Sequence, residues 1–459
     1  MLYLWNTATK KQEIFTPVHS GDIGMYTCGP TVYAHVHIGN VRTFVMEDIL
    51  QRALESDGLH VRRVLNITDI GHLTTDADAG DDKMEMSAIK SGTTVQDIAQ
   101  RYTDLFLQDA EKMNIKIPAA PFLCKATDHI QDQIALIQLL EKKGYTYRID
   151  DGIYFDTSKF STYGNFGGQK LEEKEEGARV QVNVQKKNKS DFALWKFARV
   201  DVQRQMEWAS PWGMGFPGWH IECSAMAHVY LGQPFDIHCG GIDLIPVHHE
   251  NEIAQSEAAY DVPLAKYWMH VEFLLIDGGK MSKSLGNVYT ISDIEHRGFD
   301  PVALRLFFLG CHYRQKQNFT WDAVQANQNA LQKLRSVIRT WKGSGTILVE
   351  FESEFKRAIA DDLNTPKALA IMWKLVDSVA SFADKAATIL KMDEIFGLSL
   401  SAYVGQDEIL PQEVLDLAFE RIAARENKNW IVSDALRKKI EDMGYSVSDG
   451  ADGQKVSKI

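Results

Sequence analysis

The stretch that decides the fold is "CGPTVYAHVHIGN", Cys28 to Asn40. Just before it, "IGMYTC" (Ile23 to Cys28) is a short apolar run that suits a strand. After it, Met46, Ile49, Leu50, Ala53 and Leu54 recur at helical spacing until Gly58 ends the helix. "VRRVLNITDI" then reads as a second strand. Strand, polar loop, helix and strand make a βαβ unit, and such loops lie at the carboxyl ends of parallel strands, where open α/β sheets bind ligands. His37 and Asn40 stand at the start of the helix, a favourable place for phosphate. Gly39 between them lets a flat ring lie against the backbone.

Working outward, the character changes from about Pro118 to Ala198. A helix carries Ile130, Ile134 and Ile137 and ends near Gly144. "YRIDDGIYF" reads as a hairpin turning at Asp151-Gly152, and a charged stretch follows. The parallel sheet resumes in "FDIHCGG" and "YWMHVEFLLI". Past Asn287 the pattern is helical: Asp300 caps with Pro301 in the first turn, and Pro366 suits another helix start. The expected class is α/β, a Rossmann-type parallel-sheet domain split by an insertion and followed by an all-α bundle and a small tail. The segments are 1–117, first half of the sheet domain; 118–199, inserted domain; 200–275, second half; 276–326, joining segment; 327–405, helical bundle; and 406–459, C-terminal domain.

The composition sets limits. The 459 residues exceed one simple domain, with 45% apolar and 24% charged residues as in ordinary globular chains. No run of about 18 apolar residues suggests a membrane span, and the N-terminus lacks a secretory pattern. The cysteines (Cys28, Cys124, Cys223, Cys239 and Cys311) form no disulfide framework, which fits a reduced, cytoplasmic setting. A net charge of −12 argues against a nucleic-acid coat protein but leaves room for a local basic face.

Two further stretches carry chemistry. In "LIPVHHENEIAQ" (Leu244 to Gln255), His248 and Glu252 stand four apart, side by side on a helix. Such a pair can clasp a metal, although the H-E-x-x-H pattern of metalloproteases is absent. Cys28 and Cys223 are natural additional ligands for zinc; a buried structural thiol is the other reading of each. In "DGGKMSKSLGN" (Asp277 to Asn287), glycines let backbone amides approach a polyphosphate, and Lys280 and Lys283 bring positive charge to departing phosphates. The loop lacks the spacing of a Walker P-loop.

"HIGN" after a first strand and "KMSKS" about 240 residues later resemble the two signatures of class I aminoacyl-tRNA synthetases. "CGPTVYAHVHIGN", "NITDI", "PGWHIECSAMA", "HHENEIAQSEA" and "GGKMSKSLGN" more narrowly resemble the cysteinyl-tRNA synthetases, almost end to end. The resemblance implies ATP-dependent activation of L-cysteine and its transfer to tRNA(Cys). It implies one zinc ion on Cys28, Cys223, His248 and Glu252, taking the substrate's thiolate as a further ligand, and magnesium with ATP. Cys28, Thr68, Trp219 and His238 match amino-acid-pocket positions, and Asp243 a ribose-contacting one. His37 and Asn40 match the phosphate-holding signature with Gly39 under adenine, and Lys280 and Lys283 the pyrophosphate-stabilising lysines. Arg425 and Trp430 match the tRNA-reading tail, where Trp430 stacks on a base or belongs to a small core. Relatives of this length are monomers.

The chain departs from the family pattern at Asn40, where the idealised signature has histidine, and at Met214 and Phe216, where basic residues are usual. Cys239 stands for a glycine, adding a thiol near the expected pocket, and "DIGHLTTDADAGDDKM" is a longer insertion than usual. The nearest rival is a cysteine ligase that adenylates in the same way but delivers to an amino sugar. A zinc-stabilised RNA-binding module without catalysis is a second, and a zinc hydrolase with Glu250 as base a third.

Overall fold

The computed structural model of the chain describes residues 1–71, 82–168, 183–199, 204–282, 285–407, 410–450 and 453–458. A hairpin of β1 (Tyr3–Asn6) and β2 (Lys11–Ile14) opens it. The βαβ unit follows as β3 (Asp22–Thr27), α1 (Ile38–Ser56) and β4 (His60–Ile67), with β3 and β4 parallel. The α1 start is fixed locally: His37 Nδ1 accepts from the Asn40 amide at 3.2 Å, and Asn40 Oδ1 accepts from the His37 amide at 3.4 Å. This reciprocal cap satisfies two otherwise orphaned donors. The role needs an acceptor three residues into the helix, which the Asn40 amide supplies.

Two helices, α2 (Lys83–Ser91) and α3 (Val95–Lys112), lead to β5 (Leu123–Lys125), and α4 (Ile130–Lys142) follows. Next come β6 (Thr146–Ile149), β7 (Gly152–Phe155), β8 (Phe192–Phe197), β9 (Trp208–Ser210) and β10 (Gly213–Pro217), one antiparallel sheet in the order β6-β7-β8-β10-β9. The chain returns through α5 (Trp219–Leu231), β11 (Phe235–Gly241), α6 (Glu250–Tyr260) and β12 (Ala265–Val271). The parallel sheet reads β12-β11-β3-β4-β5. Its strand order reverses between β3 and β11, so the ligand crevice of such folds opens beyond Thr27 and Gly241.

The strands change hands later than the sequence suggests. β5, beyond 118, pairs with β4, and β9 and β10, beyond 199, belong to the antiparallel sheet. The hairpin turn is also shifted. Ile149 pairs with Gly152, leaving Asp150 and Asp151 as the turn. Gly152 is needed for another reason: a Cβ there would meet the Trp195 carbonyl oxygen at 2.3 Å.

"YWMHVEFLLI" does not run on as one sheet. It breaks after β12, and β13 (Leu274–Ile276) joins a separate small sheet with β14 (Gly279–Lys280). The break is where buried Arg42 Nη1 takes the carbonyls of Glu272 and Phe273, at 2.6 and 3.0 Å. Then come α7 (Ile291–His296) and α8 (Pro301–Leu309), the latter capped by Asp300 as expected, and β15 (Gln317–Phe319), parallel to β13.

The rest is largely helical: α9 (Trp321–Arg339), α10 (Val349–Ala360), α11 (Thr365–Asp377), with Pro366 in its first turn, and α12 (Phe382–Phe396). A last unit holds α13 (Gln412–Glu426), α14 (Trp430–Asp442) and the hairpin β16 (Tyr445–Gly450) and β17 (Gly453–Lys458). The bundle and the sheet domain share one apolar core. A buried polar knot joins them: Asp48 Oδ2 on α1 accepts from Arg52 Nε at 2.7 Å and from Arg305 Nη2 at 2.5 Å, and Arg305 Nε donates to the Phe396 carbonyl at 2.7 Å. Among the described residues, no helix is long and apolar enough to cross a membrane.

Candidate functional site

Three elements converge at the sheet's reversal point. Cys28 directly follows β3, Cys223 lies on α5, and His248 lies in a π-helical turn (Ile245–His249) that runs directly into α6 with Glu252. Single π-turns of this kind are common at functional sites. One ligand-type atom from each of these four residues lies within 4.8 Å of the others, and all four side chains are buried. A second set, Cys28, His238, His249 and Glu252, overlaps it.

Glu252 is the hub. Its Oε1 lies 3.0 Å from His248 Nε2, and its Oε2 2.9 Å from His238 Nε2. Burial penalises its charge, but the two imidazoles override this and hold the carboxyl down at about 2. Burial likewise works against charge on His248, yet Glu252 and then Cys223 raise it to about 10. A hydrogen bond from Cys28 holds the Cys223 thiol at about 7 against the opposing effect of burial, and burial itself pushes Cys28 well up. The pocket thus gathers thiol, imidazole and carboxylate donors out of water, the donor set that suits a soft divalent cation.

Further histidines surround this set. His249 Nδ1 lies 2.7 Å from His270 Nε2, His270 Nδ1 lies 2.8 Å from Thr7 Oγ1, and the Nδ1 atoms of His220 and His248 are 3.0 Å apart. His238 stacks on Trp268 at 4.4 Å between ring centroids. The doubled histidine of "VHHEN" was the only local sign of this network.

A cavity of about 760 Å³ opens in front. Cys28 and Trp219 wall one region, and His37, Gly39, Asn40 and Lys280 wall another; Asp243 also reaches it. Gly39 is tightly placed: a Cβ there would meet the His37 ring at 3.0 Å and Met281 Cε at 3.5 Å. Thr68 and His238 are buried and absent from the described wall. Thr68 instead fastens the signature loop, donating its amide to the Pro30 carbonyl and accepting from the Val32 amide.

The chain matches the model of "tRNA synthetases class I (C) catalytic domain" over residues 14–329 and that of "DALR domain" over 354–400. It is 47% identical over 99% of its length, and 96% of the relative's, to cysteine–tRNA ligase 1 of Burkholderia lata. It is 40% identical over 98% of both chains to a cysteine–tRNA ligase of Treponema denticola. The chain belongs to the cysteine–tRNA ligase family. Among solved structures, methionyl-tRNA synthetase of Mycobacterium tuberculosis in complex with methionyl-adenylate covers 82% of this chain and 90% of its own, with a TM-score of 0.55 at 15% identity, which speaks to the shared fold.

Within this cysteine–tRNA ligase family member, the remaining expected residues fall as follows. Lys280 sits exposed on β14, while Lys283 lies outside the described residues. Phe216 walls the cavity beneath the Arg204 guanidinium, 3.3 Å from its ring centroid, and Met214 faces solvent. Cys239 corrects an expectation. Successive strand residues face opposite sides of a sheet, so His238 turns toward the cluster while Cys239 joins the apolar core on the other face. All five cysteines are free thiols. Glu250 accepts from the Gly164 and Gly167 amides at 2.7 and 2.8 Å, which ties it to loop structure and weakens its role as a hydrolytic base. Trp430 is 54% exposed and stands apart from the small core of Val414, Ala418 and Ile440. Arg425 lies 5.5 Å from its ring centroid and 3.1 Å from Asp449. Lys83 and Tyr33 also wall the cavity; both fall within stretches read above, but no local pattern marks either side chain as facing a ligand.

Proposed function

We infer that the protein is a cysteine–tRNA ligase that activates L-cysteine with ATP and transfers it to tRNA(Cys). The observation that carries this reading is the single cavity joining the thiol-lined pocket to the His37–Asn40 helix start and Lys280, in a chain related to cysteine–tRNA ligases over 99% of its length. In the first step a carboxylate oxygen of cysteine attacks the α-phosphorus of ATP. The bond to the β-phosphate breaks, pyrophosphate leaves, and cysteinyl-adenylate remains. In the second, the terminal ribose hydroxyl of tRNA attacks the activated carbonyl, its proton is lost, and AMP departs as an aminoacyl ester forms.

The protein positions reactants and stabilises charge. His37 and Asn40, with the α1 N-terminus, take phosphate; Gly39 leaves space for adenine; and Asp243 faces the ribose. Lys280, with Lys283, meets the charge that grows on departing pyrophosphate. Magnesium enters with ATP as part of the substrate. Trp219 and Cys28 wall the cysteine end, while Thr68 fastens the signature loop and His238 holds Glu252. Trp430 and Arg425 read tRNA.

The buried donors suit zinc on Cys28, Cys223, His248 and Glu252. This set is preferred over the overlapping one because it offers two soft thiols, whereas His249 is engaged with His270. When bound, zinc supplies a soft Lewis-acid site that takes a thiolate far better than a hydroxyl. Selectivity against serine then rests on these four side chains.

The test is metal content together with cysteine-dependent pyrophosphate exchange. Wild-type protein is expected to hold zinc and exchange pyrophosphate. Cys223→Ser is expected to lose most of its zinc and need at least about 10-fold more cysteine. Unchanged zinc stoichiometry in that variant refutes the ligand set. An amino-sugar acceptor is not favoured, because the similar chains are cysteine–tRNA ligases along their whole length. Loading of a glucosamine derivative in place of tRNA would reverse that judgement.

A further inference from the structure

Arg42 lies on α1, two residues past the signature, and its side chain is fully buried. Besides the Glu272 and Phe273 carbonyls, it reaches the His312 carbonyl at 3.3 Å and the Gln315 carbonyl at 2.8 Å through Nη2. These four acceptors lie at the entrances of two strands. Glu272 and Phe273 lead into β13; His312 and Gln315 lead into β15. The two approaches are already bonded to each other, Glu272 amide to Tyr313 carbonyl at 2.8 Å and Gln317 amide to Phe273 carbonyl at 3.2 Å.

The lysine strand hangs on this pair. β14 is only two residues long and pairs with β13 alone, setting Lys280 opposite Leu275. Its turn is held from β15, where Asn318 Oδ1 accepts from the Gly278 amide at 2.6 Å. Beyond the loop, the Tyr289 carbonyl returns to accept from the Ile38 amide at 2.9 Å, at the N-terminus of α1. The two walls of the cavity that carry His37, Asn40 and Lys280 are therefore clamped at both ends.

We propose that Arg42 is a positioning residue for adenylate formation, fixing β14 and its Lys280 against the His37–Asn40 end of α1. The planar guanidinium fork holds carbonyls on both strand approaches at once. A lysine ammonium has three donors on a flexible stem and cannot reproduce that span. The inference rests on the functional reading above. It is specific in its effect, because pyrophosphate leaves only in the first step. A misplaced Lys280 slows adenylate formation and leaves transfer from preformed adenylate to tRNA unaffected.

The experiment compares wild type, Arg42→Lys, Asn318→Ala and the double variant as full chains. It measures pyrophosphate-exchange kcat and the KM for cysteine, and the single-turnover transfer of cysteine from enzyme-bound adenylate. Arg42→Lys is expected to lower exchange kcat by about 30- to 100-fold, the scale of an ångström-sized misplacement. Cysteine KM and the transfer rate are expected to be unchanged. Asn318 is exposed, so its variant tests the same linkage without disturbing the core. It is expected to show a smaller loss in the same step, less than additive with Arg42→Lys. Exchange at the wild-type rate in Arg42→Lys, or equal slowing of exchange and transfer, overturns the proposal. If Arg42→Lys does not fold, wild-type exchange in Asn318→Ala overturns it. An inactive wild-type protein would overturn the functional reading itself, and the inference with it.

Discussion

At the scale of single residues, the site is organised by one carboxylate. Each Glu252 oxygen has an imidazole partner, and the pair of histidines keeps the carboxyl ionised in a dry setting. His238 therefore orients Glu252 from outside the four-residue set. Replacing His238 with Leu should weaken zinc binding by about 10- to 100-fold, as loss of such bracing typically does. Titration against a metal chelator measures this; an unchanged affinity would show that Glu252 holds its orientation without help. The His248–Glu252 pair was legible because four-residue spacing is a local property of helices. The thiols were candidates from their softness alone, while His238 entered only through the resemblance. The His270–Thr7 contact was not, since it joins residues 263 apart in the chain, and no local pattern encodes such a pairing. Cys239 was misplaced because strand alternation turns adjacent residues to opposite faces, and the phase of that alternation depends on the sheet's two coverings.

At the scale of elements, α1 is a polar-cored strut. It carries the signature at its start, Arg42 in its second turn, and Asp48 and Arg52 further on, all buried. Apolar spacing revealed the helix but not these charged residues' distant partners, which come from α8, α12 and nearby loops beside the Asp48–Arg52 pair within α1 itself. Burial works against the Asp48 charge, but Arg305 and Arg52 hold its carboxyl below the ordinary range. Arg305→Met should cost about 3–5 kcal/mol of stability, because Asp48 loses a charged partner in the core. Denaturant unfolding checks this, and the loss should shrink in an Asp48→Asn, Arg305→Met double variant. The C-terminal unit has a comparable device at its surface. Hydrogen bonding from Arg421, with Arg425 and Arg437 nearby, brings Asp449 down to about 2. A carboxyl depressed in the folded state stabilises above its unfolded value of about 3.9, and that support is lost as pH falls toward the folded value. Acid unfolding of this unit should therefore steepen between about pH 4 and 2, and Asp449→Asn should flatten that limb when hydrogen exchange at the amides of α13 and α14 is followed.

At the scale of the molecule, the long antiparallel insertion separates two halves of one parallel sheet without interrupting its strand order. That split was legible from the change in composition around 118–198. The strand exchanges at its borders were not: β5 is three residues long and its partner β4 lies far back in the chain, while β9 and β10 form a short hairpin whose local pattern does not say which sheet it joins. On the proposed reading, activation and tRNA reading fall to different parts of the sequence, the first around the sheet domain and the second around Arg425 and Trp430. Trp430→Ala should remove about 1–3 kcal/mol of base stacking, raising the tRNA requirement in aminoacylation while cysteine-dependent pyrophosphate exchange stays at the wild-type level. A parallel loss of exchange would place Trp430 in the folding of the whole chain instead.

The four proposed zinc donors come from three places, a strand end near residue 28, a helix at residue 223 and a helix start at 248–252. On the proposed reading, synthesis yields the Cys28 thiol long before the Glu252 carboxylate, so the donor set is complete only once residue 252 has been made. Capture of a metal by all four donors would have to wait for that residue.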